Sequence, residues 1–279
     1  MTSTYAARRP VLVRGTGDIG SAVALALYRE GYPVLLHDGP APTDMRRGMA
    51  FVDAVFDGTA MLDGVTAHRT DISPALGESL ITQDGVFVIC APFVDVLAAV
   101  TWSAVIDARL LKRAIPDPLR GLAPLTIGIG PNFVAGETVD FAIETSLDER
   151  MGVIVESGPT SPLAGEPLPL GGAGRERFIY APVAGQLRTT ARIGALVVQG
   201  AVVATVAGED LRAPFAGVIR GLTHDDVLVA SGTKIAEIDP RGDPSRAFGV
   251  GERPRRIAEG VLRVFNNTGA QQKINKGHA

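Results

Sequence analysis

The chain has 279 residues, long enough for two modest units that each bury a core. With 46% hydrophobic and 20% charged residues it reads as folded and globular rather than disordered. A formal charge of −3 excludes broad nucleic-acid binding, which needs a strongly basic surface.

A lone cysteine, Cys90, excludes an intrachain disulfide framework and a cluster of thiolate ligands. His37, His68, His224 and His278 show no metal-ligand spacing, so no metal site is expected. No apolar run reaches membrane-spanning length, and Met1 to Pro10 lacks the apolar stretch of a signal peptide. A cytoplasmic protein without a membrane partner is expected.

In chain order, Val11-Leu12-Val13 reads as a buried strand, followed by the turn Gly15-Thr-Gly-Asp-Ile-Gly20 and a helix from about Ile19 to Arg29. Gly31 stops that helix, and Pro33 to Leu36 is the second strand. Further strands are predicted at Gly85 to Cys90, Ala104 to Asp107, Leu125 to Ile129 and Val139 to Ile143. Strands separated by helices imply parallel pairing. Gly58 to Thr70 has no assigned place in that winding.

From Gly158 the chain is rich in Gly and Pro, and beyond it short alternating strands follow. Ala181-Pro-Val-Ala-Gly185 returns as Ala213-Pro-Phe-Ala-Gly217, and at the same offset Val197 matches Val229, Gly200 matches Gly232 and Val203 matches Ile235. The repeat resembles the barrel-sandwich hybrid of biotinyl and lipoyl carrier domains. The joining hairpin, Val206 to Asp210, holds no lysine, and Lys234 lies in the second half, so a swinging-arm role is not expected. A final helix runs from about Arg253 to Phe265, with Arg253, Arg256 and Arg263 nearer solvent and a frayed tail after Asn266.

The expected fold class is therefore α/β. A Rossmann-like nucleotide-binding domain spans 1–157, a linker 158–177, an all-β biotinyl/lipoyl-like module 178–242, a helical segment 243–266 and a tail 267–279.

The turn from Gly15 to Gly20 carries the binding expectation. Gly15 allows the tight turn, Gly17 the approach of a phosphate, and Gly20 close helix–strand packing, while Ile19 opens the helix whose free amides favour an anion. Asp38 ends the second strand, where an acid meets a ribose. Asp18 is expected to face away and cap the helix. Arg46 and Arg47 reach a phosphate or lie exposed. Gly128, Gly130 and Asn132 form a second turn at a strand end, with Asp107, Lys112 and Glu144 near other strand ends. No catalytic constellation is evident, and Cys90 reads as a small buried hydrophobe.

Several segments together resemble the YqeB family. They are Val13-Arg-Gly-Thr-Gly-Asp-Ile-Gly20, Arg46-Arg47 with Ala50-Phe51 and Ala54 to Gly58, Val105 to Lys112 and Gly128 to Gly136. Ala142-Ile-Glu-Thr145, Arg175-Glu-Arg177, Ala181-Pro182, Gly217 to Gly221 and Lys234 to Gly242 continue the match to all but the C-terminal tail. Family members usually have Gly where Asn132 stands. The resemblance implies a selenium-dependent molybdenum hydroxylase system protein, or xanthine dehydrogenase accessory protein. Its partner would be a molybdenum hydroxylase client, and NAD(P) or a molybdopterin dinucleotide its nucleotide-type ligand. An NAD(P)-dependent oxidoreductase and a non-catalytic assembly scaffold are the alternatives, and self-association into a homo-oligomer is left open.

Overall fold

The computed structural model describes residues 9–111, 114–162, 165 and 167–276, with side chains as far as Thr268. Lys112, His278 and the first eight residues lie outside the described residues.

β1 (Val11–Arg14), β2 (Val34–His37), β5 (Val86–Ile89) and β6 (Ala104–Asp107) form the centre of a nine-stranded sheet. All four are buried along their length, as expected of parallel strands covered on both faces. β7 (Thr126–Ile129) and β9 (Phe141–Ile143) extend it in parallel beyond β6, and β4 (Val65–Thr70) beyond β5. At the edges, β3 (Thr59–Leu62) and β10 (Ile154–Val155) run antiparallel. The full order is β10-β9-β7-β6-β1-β2-β5-β4-β3.

The expected doubly wound, Rossmann-like parallel sheet is thus corrected to a large mixed one. The reason is local. Asp63 and Gly64 both take positive φ, 46° and 81°, which closes β3 onto β4 as a two-residue hairpin and makes antiparallel pairing obligatory. The segment 58–70 that lacked a place is this hairpin.

α1 (Asp18–Arg29) buries Val23, Ala24 and Leu27 against the sheet, while α3 (Leu76–Thr82) and α4 (Phe93–Ala99) cover the other face with Leu76, Leu80 and Val96. The short α2 (Ala54–Asp57) leads into β3. β8 (Val134–Ala135) pairs with β11 (Gly158–Pro159) in a small separate ribbon.

The β-rich region contains two four-stranded antiparallel sheets. One comprises β12 (Phe178–Tyr180), β19 (Lys234–Asp239), β17 (Gly217–Leu222) and β14 (Leu196–Val197). The other comprises β16 (Glu209–Arg212), β15 (Val202–Val206), β13 (Gly185–Arg188) and β18 (Leu228–Val229). The biotinyl/lipoyl-like label is corrected to this plain description. The β15–β16 hairpin turns on Ala207 and Gly208, and Lys234 sits over the Phe178 ring at 3.9 Å instead of at a hairpin tip.

The last helix, α5 (Glu252–Lys276), continues through the expected frayed tail. Ile257, Val261, Val264 and Phe265 join the core beneath α1, with Phe265 edge-on to Tyr32 at 5.0 Å. Gly260 permits this docking, because a Cβ there would strike the carbonyl of Gly152.

Candidate functional site

The turn after β1 is built as its glycines predict, but it is already full. Gly15 takes φ 103°, and a Cβ at Gly20 would be driven into the Gly15 carbonyl. The Thr16 amide and hydroxyl both donate to Asp38 Oδ2 at 2.7 Å. A side chain at Gly17 would collide with Asp44 Oδ1. Asp18 does not cap α1; it accepts from Arg46 Nη1 at 2.9 Å.

Asp18, Asp38 and Asp44 therefore surround the turn, where like charges oppose a pyrophosphate. The phosphate position above Gly17 holds a carboxyl of the chain itself. The expectation of a nucleotide-type ligand seated on this turn is corrected on that ground.

The turn opens into a crevice of about 1020 Å³ between the nine-stranded sheet, the β-rich region and the start of α5. Gly15, Gly17, Asp18, Ile19, Asp38 and Arg46 line it; Gly20 lies beneath, as packing. The half-buried Asp44 accepts no hydrogen bond from another residue among those described. Burial first, then Asp38 and Asp18, push its carboxyl up to about 7.

The crevice lining is also rich in guanidinium. Glu237, fully buried on β19, accepts from Arg46 Nε at 2.9 Å and Arg177 Nε at 2.8 Å, with Arg220 Nη1 at 3.6 Å. Burial alone would raise the Glu237 carboxyl, but Arg46, Arg177 and Arg220 overcome it and bring it down to about 2. Arg46 joins this acid to Asp18. Arg253, at the start of α5, donates from Nη2 to the Thr145 carbonyl at 3.3 Å, and its Nε is buried without a partner.

The remaining expected residues lie elsewhere. Arg47 binds the Leu222 carbonyl and Asp53, both at 2.7 Å. Gly128 makes room for the Phe133 ring, and Gly130 turns with φ 103° beside Leu110. Asn132 donates to the carbonyls of Leu111 and Ala114 at 3.1 Å, which holds a loop and leaves no free amide. Asp107 binds Arg14 and Arg109 below the turn. Glu144 does reach the crevice, where amides of Ser161, Thr145 and Ser146 outweigh burial and hold its carboxyl low. Cys90 is half-buried, and burial pushes its thiol up.

Among the described residues, one group could hold a metal: Asp53, Asp57 and His224. Arg47 already pairs with Asp53, His224 stacks on Phe56 at 4.0 Å, and Asp57 is exposed. These pairs form a junction between α2 and the loop after β17.

The sequence reading missed Asp44, Arg177, Arg220, Arg253 and Glu237. Glu237 left a signal, because an acid amid the apolar positions of a buried strand must be paired. Asp44 left none, since its neighbours become acidic only when the chain folds.

No family model matches the chain. It is 37% identical over 255 residues, 91% of its length, to "Uncharacterized protein YqeB" of Escherichia coli (strain K12). It covers 47% of that relative's length.

Among solved structures it is similar to the apo ectoine utilization protein EutE (DoeB) from Ruegeria pomeroyi, at 12% identity over 83% of this chain and 86% of the other, with a TM-score of 0.25. A succinylglutamatedesuccinylase/aspartoacylase from Rhodobacter sphaeroides gives 12% identity, 83% and 85% coverage and a TM-score of 0.26. An aspartoacylase family protein from Mesorhizobium loti gives 13%, 83%, 85% and 0.24. At such TM-scores the likeness assigns neither fold nor activity to this chain.

The role in molybdenum hydroxylase maturation is withdrawn. The YqeB relative is described as uncharacterized, and the turn that was to hold NAD(P) or a molybdopterin dinucleotide is occupied by Asp44. The oxidoreductase alternative, which needs the same turn, goes with it.

Proposed function

We propose that the chain binds a small molecule in the crevice and exchanges a proton with it through Asp44. The observation that supports this reading is the Asp44 carboxyl, raised to about 7, lining a cavity of about 1020 Å³. A group titrating near neutrality is present in both forms there, as general acid–base chemistry requires. Burial is the first cause, and Asp38 and Asp18 add to it: with two acids beside it, a buried third carboxyl keeps its proton. Asp38 is itself anchored by Thr16, so the glycine turn positions the acid cluster instead of a phosphate.

The test is native mass spectrometry after incubation with a metabolite extract, comparing wild type with Asp44→Trp, whose indole fills the crevice beside Gly17. A small molecule retained by wild type and lost from the variant is the expected result. Equal retention by both, or none by either, overturns the reading.

A further inference from the structure

Away from the crevice, the two acids at the ends of α2 and a histidine beyond β17 meet at metal-ligand spacing. Asp53 precedes the first residue of α2 and Asp57 is its last, and the Asp57 amide donates to the Asp53 carbonyl at 2.8 Å, closing one helical turn. That i to i+4 relation puts both side chains on one face. His224, just past the end of β17, comes to the same place, and one ligand atom from each of the three lies within 4.8 Å of the others.

The imidazole is held as a ligand would be. Its ring stacks on Phe56, with centroids 4.0 Å apart and planes inclined by 13°. Its Nδ1 meets the Asp225 carbonyl at 2.8 Å; a carbonyl only accepts, so Nδ1 carries the proton and Nε2 of the neutral ring carries the lone pair. A backbone carbonyl on the far nitrogen is the usual support of a metal-bound histidine. Nε2 stands 3.6 Å from Asp57 Oδ1, too far for a hydrogen bond. Two acceptors at that separation suit a cation between them, since ligands about 2.0–2.1 Å from a tetrahedral zinc lie about 3.3–3.4 Å apart. Asp53 is oriented in the same manner. Its Oδ1 accepts from Arg47 at 2.7 Å, Arg47 also donates to the Leu222 carbonyl at 2.7 Å, and the carboxylate keeps a second oxygen.

We infer that Asp53, Asp57 and His224 form a site for a divalent transition metal of the zinc class, which clamps α2 to the loop after β17. An imidazole among the ligands favours zinc, nickel or cobalt over magnesium and calcium, which take oxygen. Three protein ligands leave the remaining position to water, and the exposed Asp57 gives the ion its way in. The clamp lies where two cores meet, because Phe56 packs on the apolar cluster of the large sheet and on that of the β-rich region. The segment before His224 also grips the loop that carries Asp44: the Leu222 amide donates to the Met45 carbonyl at 2.6 Å, and Thr223 Oγ1 to the Thr43 carbonyl at 3.2 Å. None of the three ligands lines the crevice, so the site stands or falls apart from the acid–base reading.

The test uses the full chain after dialysis against a chelator, titrated calorimetrically with zinc chloride and in parallel with magnesium chloride. Zinc is expected to bind saturably at one equivalent and to raise the melting temperature, and magnesium at the same concentration to do neither. His224→Ala and Asp57→Asn should each weaken zinc binding at least tenfold and remove the rise in melting temperature. Asp57 is exposed, so Asp57→Asn should fold and, without metal, melt close to wild type. His278→Ala, which removes the histidine of the tail, should leave the affinity unchanged.

Absence of saturable zinc binding overturns the site. So does an affinity that survives both His224→Ala and Asp57→Asn, or one that is lost in His278→Ala. An equal response to magnesium overturns the zinc-class assignment.

Discussion

The carboxyl of Asp44 lies over the Cα of Gly17, so close that a methyl group on Gly17 would strike it. Gly17 has φ −64°, which any residue can adopt, so glycine is needed here for space and not for backbone conformation. Gly20 differs: its added Cβ would meet the backbone carbonyl of Gly15, which cannot swing aside. Gly17→Ala should therefore cost about 1 kcal/mol and Gly20→Ala about 3 kcal/mol. Urea unfolding measures both. In an Asp44→Ala background the Gly17→Ala cost should vanish while that of Gly20→Ala persists.

Two carboxyls give the stability opposite pH slopes. Asp44 is raised from 3.8 to about 7, so its contribution is complete below pH 4 and is lost as pH climbs through 7. Glu237 is depressed from 4.5 to about 2, so its contribution is complete above pH 4.5 and is lost as pH falls toward 2. Wild type should lose stability between pH 5 and pH 8, and Asp44→Asn should flatten that slope. Unfolding free energies measured across this range check the sign.

Glu237→Gln would leave Arg46, Arg177 and Arg220 around a neutral amide. The expected loss is about 3–5 kcal/mol, the usual consequence of stranding buried charge. A loss below 1 kcal/mol by urea denaturation would show that solvent already screens the cluster.

Gly260→Ala places a methyl group against the Gly152 carbonyl where α5 docks. Hydrogen exchange should accelerate along α5 while the central strands of the large sheet stay protected. The crevice should loosen with it, because Arg253 rides on the same helix.

Much of the large sheet was legible because β1, β2, β5 and β6 are short, wholly apolar or nearly so, and separated by glycine turns. Its mixed character was legible too, in Asp63-Gly64, a hairpin signal between two alternating runs that went unused. The site was harder to read. The glycine turn announces a phosphate cradle, and only the folded chain shows Asp44, from the loop after β2, standing in it. Arg253 has the spacing of a solvated helix face, yet its Nη2 meets the Thr145 carbonyl and its Nε is buried. Glu237 and Arg177 lie 60 residues apart, and their pairing depends on the alignment of β12 with β19.

The most direct test of the central claim is a ¹³C NMR titration of aspartate side-chain carboxyls, with the Asp44 resonance identified by its disappearance in Asp44→Asn. A midpoint near 7 is expected, moving down when Asp18 or Asp38 is replaced by Asn. A midpoint near 4, insensitive to those replacements, would contradict the assignment of Asp44 as the proton-exchanging group.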